Sequence, residues 1–151
     1  MDQLLLTMDF FMEKQYILQL LTLVSFGLVV LIWLVQLIIY PNFQYLSNSQ
    51  RIQWHQYYTP RITVIVAPLM ILQLMMAAYL LFVDLTLLNT IATLLIVLNW
   101  LITFIFFVPL HVRIGRKDIH KKSLISLVHI NWYRTLIWSC VFLIVLTEYL
   151  T

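Results

Sequence analysis

Residues 16 to 40 read YILQLLTLVSFGLVVLIWLVQLIIY without one charged side chain, and nothing else in the chain narrows its fold as much. A soluble protein would have to hide all of that stretch, whereas about 20 apolar residues are what a helix needs to cross a hydrocarbon layer. Three more such stretches follow. Arg61 and Asp84 bracket an uncharged run of 22 residues, a third lies ahead of His111, and a fourth, 124 to 147, is interrupted by Arg134. Only 13 residues separate Arg134 from Glu148, which is about 20 Å of helix, so the fourth span has to begin before the arginine. The sequence therefore predicts an all-α polytopic membrane protein: one antiparallel four-helix transmembrane bundle with spans at about 16–40, 62–83, 86–110 and 124–148. Hydrophobic residues fill 63% of the 151 positions and charged ones 10%, which leaves nothing from which to build a separate soluble domain.

Charge sorts by side once four spans are accepted. One side holds Asp2, Asp9, Glu13, Asp84 and Glu148 against Lys14; the other holds Arg51, Arg61, Arg113, Arg116, Lys117, Lys121 and Lys122, with Arg134 near it and Asp118 opposing. Basic residues gather on the cytoplasmic side, so the connections at 41–61 and 111–123 are expected inside and both termini outside. Asp2 and Asp9 stand where a signal peptide carries lysine or arginine, and no cleavage is expected. The first 15 residues read either as an amphipathic surface helix or as the frayed start of span one. Thr59 followed by Pro60 reads as the N-cap and first turn of span two.

Several chemistries have no support. Cys140 is the single cysteine, which excludes an internal disulfide and a cysteine-based metal site within one chain. Gly27 and Gly115 alone make neither a phosphate-cradling loop nor a GxxxG packing face. The stretch RIGRKDIHKK reads as a topology determinant that meets anionic headgroups, not as a nucleic-acid site. No Ser-His-Asp set or carboxylate pair is readable, so hydrolysis ranks last.

What remains is a gathering of polar groups towards the cytoplasmic ends of all four spans. Asn131, Arg134 and Trp138 recur at intervals of three and four; so do Trp33, Gln36 and Tyr40, and Trp100, Phe104, Phe107 and His111. Pro41 ends the first of these helices and Pro109 can kink the third. An apolar concavity with a few convergent polar groups is the usual form of a small-molecule site. The ligand-binding candidates are Trp33, Gln36, Tyr40, Arg61, Phe107, Asn131, Trp132 and Trp138, and the candidates for catalysis are His55, His111 and Arg134. Gln73 and Asn99 read as interhelical hydrogen-bond glue. Imidazole suits zinc, copper and iron, so His55, His111 and His129 are the candidate ligands of a metal or haem should they converge. No two of them have the i, i+4 spacing of a helical ligand pair, and hydrogen-bonding histidines at the interface account for them more simply.

The strings WLVQLIIYPNF, WHQYYTPRIT, VPLH and INWYRTLIW resemble those of a family of uncharacterised bacterial four-span integral membrane proteins, and the tryptophan–arginine pattern of span four is distantly similar to anthrone-oxygenase-like membrane proteins. The resemblance covers most of the chain. It implies a bacterial cytoplasmic membrane and gives weight to Gln36, Tyr40, Pro41, His55, Arg61, Pro68, His111, Asn131, Trp132 and Arg134. The family pattern often has a histidine where Tyr58 stands and an acidic residue where Gln73 stands, two departures that weaken an enzymatic analogy.

The leading expectation is binding, or redox or oxygenase-type conversion, of a lipophilic small molecule that arrives from the lipid bilayer; enzyme and binder both stay open. In it Arg134 holds an anionic oxygen, Asn131 and Tyr40 orient it, and His55 or His111 moves a proton. The alternative is a non-catalytic small subunit or scaffold of a larger membrane complex whose polar cluster docks a partner or a lipid headgroup; a membrane partner and a homo-oligomer both stay open. Solute or ion transport ranks third, because conduction wants polar side chains along the whole path.

Overall fold

The computed structural model describes the backbone of residues 2–43, 45–115 and 121–151, and the side chains of residue 8 and of residues 11–43, 45–113 and 126–151. Those residues are helical with short connections, and no strand occurs among them. The elements are α1 (Asp2–Leu34), a π-helical turn (Val35–Ile39), α2 (Tyr40–Asn42), α3 (Asn48–Val83), α4 (Leu87–Ile102), a second π-helical turn (Thr103–Phe107), α5 (Val108–Gly115) and α6 (Lys121–Leu150). Four helical stretches among the described residues are long and apolar enough to cross a membrane: Phe11–Asn42, Asn48–Val83, Leu87–Arg113 and Ser126–Leu150. α1 packs on α3 and α6, and α4 packs on the same two, so the four close a ring.

One end of that ring carries the described carboxylates. Lys14 pairs with Asp84, the Tyr79 hydroxyl donates to Glu13, the Thr86 hydroxyl donates to Glu148, and Gln15 donates to the carbonyl of Tyr149. Thr86 also caps α4 by accepting from the backbone of Asn89, whose side-chain amide donates to the carbonyl of Asp84, so the turn between α3 and α4 is closed by its own side chains. Next comes an apolar layer of Leu18, Leu21, Ala77, Leu80, Ala92, Ile96, Val141 and Val145. Outward faces carry large exposed apolar groups such as Leu23, Phe26, Met75, Phe82, Leu94 and Leu143, as helices facing hydrocarbon should.

Three expectations need correction. Span two does not start at Thr59–Pro60. Ser47 is the cap: its side chain accepts from the backbone of Gln50, and the Gln50 side chain accepts from the backbone of Ser47. Residues 48–61 are thus helix, not connection. Pro60 stays inside that helix, and on either side of it side chains bond back to the backbone: Arg61 Nη1 donates to the carbonyl of Tyr57 and Thr63 Oγ1 to that of Thr59. The connection at 111–123 is shortened likewise, since α5 runs to Gly115 and α6 opens at Lys121; residues 116–120 of RIGRKDIHKK lie outside the described residues, as do the side chains of Asp2 and Asp9.

Prolines 41 and 109 act differently from a plain stop or kink. Each is preceded by a π-helical turn, which widens the helix where a proline ring would strike the carbonyl four residues back. Ser47→Ala is expected to cost about 0.5–2 kcal/mol by removing the cap of α3, and so to lower the melting temperature in detergent by roughly 2–4 °C per kcal/mol, read by circular dichroism.

Candidate functional site

At the end away from the carboxylates the four helices part around a cavity of about 320 Å³. α1 contributes Leu28, Leu31 and Ile32, and beyond its end Val35 and Tyr40 join them. Trp100 of α4, Thr103, Phe104 and Phe107 of the second π-helical turn, and Val108 and His111 of α5 form the facing side, and α6 contributes Arg134 and Trp138. α3 supplies the longest wall: Tyr58, Thr59, Ile62, Thr63, Val66, Ala67 and Met70. Counted from His55, these fall at steps of 3, 4, 7, 8, 11, 12 and 15, one helical face. Thr63, Phe104 and Val108 line the cavity and are themselves exposed, so its wall is incomplete on the side between α3 and the α4–α5 helix.

Arg134 is the group that most needs explaining. It is 7% exposed, and the described carboxylates are all engaged at the other end. Two aromatic faces compensate in part: the guanidinium carbon lies 4.4 Å from the Phe107 ring centre and 4.8 Å from that of Trp138. Its one hydrogen bond to a described residue runs from Nη1 to Asn131 Oδ1 at 3.4 Å, and its buried Nε has no acceptor among those residues. A guanidinium so placed lacks, among those residues, the opposite charge with which a buried cation usually pairs.

The support around it is continuous. Asn131 Nδ2 donates to Gln36 Oε1 at 2.8 Å, and Gln36 Nε2 donates to the carbonyl of Val128 at 3.4 Å. Below the arginine, Trp138 Nε1 donates to Gln73 Oε1 at 3.3 Å and Gln73 Nε2 donates to Ser25 Oγ at 3.0 Å, which ties α1, α3 and α6 together. Gln73 is therefore the interhelical link its composition suggested. Asn99 is not: its amide is buried with neither atom partnered among the described residues.

His55 and His111 meet across α3 and α5, Nε2 to Nδ1 at 2.8 Å, one ring donating to the other. His111 lines the cavity; His55 lies behind it and is buried. His129 does not join them. It stands two residues before inward-facing Asn131, about 200° round the helix, and is exposed. The proposed three-histidine metal set therefore does not form, and no group of three or more potential ligands occurs among the described residues.

Other candidates separate by helix face. Tyr40, Phe107, Arg134 and Trp138 line the cavity with His111, while Gln36 and Asn131 stand behind it as supports. Trp33 and Trp132 do not reach it: Trp33 donates to Ser139 Oγ and meets Trp132 edge-on at 5.6 Å, in the seam between α1 and α6. Arg61 does not reach it either; it is exposed and lies 3.6 Å over the ring of Tyr57. Tyr58, Thr59 and Thr63 were missed, because their segment was read as connection or as a helix start; extending the periodicity back to His55 exposes all three. Comparison of the chain with protein-family models, with curated proteins and with solved structures finds no match.

Proposed function

We propose that the chain is an integral membrane protein, an antiparallel four-helix transmembrane bundle with both termini outside, whose cytoplasmic end holds a lipophilic small molecule bearing an acidic oxygen. The observation that carries this reading is Arg134, a buried cation bordering an apolar cavity with no carboxylate beside it among the described residues. Nature rarely leaves such a charge in apolar surroundings without a use for it, and a ligand oxygen is the use the cavity offers. Apolar walls would take the body of the molecule, and the incomplete side would admit it from lipid. Conversion of the ligand, including the oxygenase-type chemistry that the resemblance implies, extends this reading: His111 would exchange a proton with the bound molecule and His55 with His111, at the 2.8 Å that separates them.

The test is extraction. Wild type purified in detergent is expected to release a lipophilic compound in stoichiometric amount, identified by mass spectrometry. Ala67→Phe, which fills the cavity from α3, is expected to retain the helical spectrum and to lose that compound. Identical extracts from both proteins would refute the reading.

A further inference from the structure

We propose that the ligand is a long-chain carboxylate, a single-tailed monoanion that enters sideways between α3 and the α4–α5 helix and sets its carboxylate against Arg134. This rests on the cavity being a ligand site and goes further by fixing the ligand's chemistry. Charge comes first. Arg134 is the only described cation that lines the cavity, so one negative charge is matched and a phosphate or diphosphate is not. Donor count comes next. Besides Arg134, the hydroxyl-bearing residues Tyr40, Tyr58 and Thr59 line the space, and among the described residues Thr59 Oγ1 and Arg134 Nε are buried without partners. A phenolate offers one oxygen to such a set. A carboxylate offers two, with about four lone-pair sites in the planar arrangement a guanidinium fork matches.

Shape completes the case. From Thr59 to Met70 the α3 wall is about 16 Å long, with its polar groups at the Tyr58 end and apolar groups beyond. A volume of about 320 Å³ is near the small limit of ligand pockets, room for one chain and not for a two-tailed lipid. Exposed Phe104 and Val108 on one lip and exposed Thr63 on the other let the end of a longer tail run out into the bilayer.

Trp100 and Trp138 both line the cavity, so binding can be read by quenching their fluorescence. The experiment uses the full chain in nanodiscs, with Trp33, Trp54 and Trp132 replaced by phenylalanine, titrated with bromine-labelled palmitate and with the bromine-labelled alcohol of the same length. Saturable quenching by palmitate is expected, at least roughly tenfold tighter than by the alcohol, and Arg134→Met is expected to erase that preference by weakening palmitate about 10- to 150-fold. Equal affinity for acid and alcohol in the parent protein overturns the carboxylate assignment and leaves the cavity as a site for neutral lipophiles. Saturable quenching by a brominated phenol but not by palmitate overturns it in favour of a phenolate. No saturable quenching by any probe, together with unchanged extracts from Ala67→Phe, overturns the ligand site itself.

Discussion

Arg134→Met is expected to leave the empty protein folded and within a few degrees of wild type in melting temperature while weakening ligand capture about 10- to 150-fold. Breaking a buried ion pair usually costs about 3–5 kcal/mol, because one charge stays behind uncompensated. Here the described carboxylates are engaged at the other end of the helices, so no described anion is stranded. What is lost is attraction to the Phe107 and Trp138 rings and a 3.4 Å hydrogen bond to Asn131. What is regained is the desolvation of a guanidinium, several kcal/mol in apolar surroundings, and methionine sulfur makes favourable contacts with the same two rings. The opposing contributions are of similar size, hence the small net change. Binding has no such compensation and falls by about 1.5–3 kcal/mol, the worth of a hydrogen bond to a charged group. Thermal melts with and without ligand separate the two effects; a collapse of the empty protein would show that Arg134 is a structural residue.

Gln73→Leu is expected to do the reverse, destabilising the protein more than it affects recognition of the ligand's oxygen. Gln73 is 1% exposed and serves two partners on two other helices, so leucine leaves Trp138 Nε1 and Ser25 Oγ without theirs. Each orphaned group costs about 1–3 kcal/mol in a protein interior, while interhelical hydrogen bonds within membranes have averaged about 0.6 with a maximum near 1.7. The expected total loss is about 1–4 kcal/mol, or roughly 2–4 °C in melting temperature for each kcal/mol. A double-mutant cycle with Trp138→Phe isolates the bond: once the indole donor is gone, Gln73→Leu should cost less than it does alone. Strict additivity of the two changes would mean that the 3.3 Å contact contributes nothing.

Much of the site was legible because helical periodicity carries across the lipid. Trp100, Phe104, Phe107 and His111 were grouped by spacing alone, and so were Asn131, Arg134 and Trp138; cavity and support use those same faces. Legibility failed where a choice between adjacent faces was needed. Trp132 is one position beyond Asn131, about 100° round the helix, and that turn sends its ring into the seam with Trp33. It failed also at 41–61, which was expected as a connection up to a helix start at Thr59 and Pro60. Ser47 and Gln50 begin the helix there, and with it the wall of Tyr58, Thr59 and Thr63.

Four long apolar stretches and a single interrupting arginine were enough to specify helices of membrane-crossing length, since lipid offers backbone groups no other partners. Those same stretches could not say which helices would touch, because hydrocarbon rewards every apolar face alike. Only packing decided that His55 meets His111 while His129 turns away, that Gln73 reaches both Ser25 and Trp138, and that Arg134 comes to rest between two rings at the edge of an apolar cavity. Direction round a helix and the choice of neighbour are properties of the assembled set of helices, and no single segment contains them.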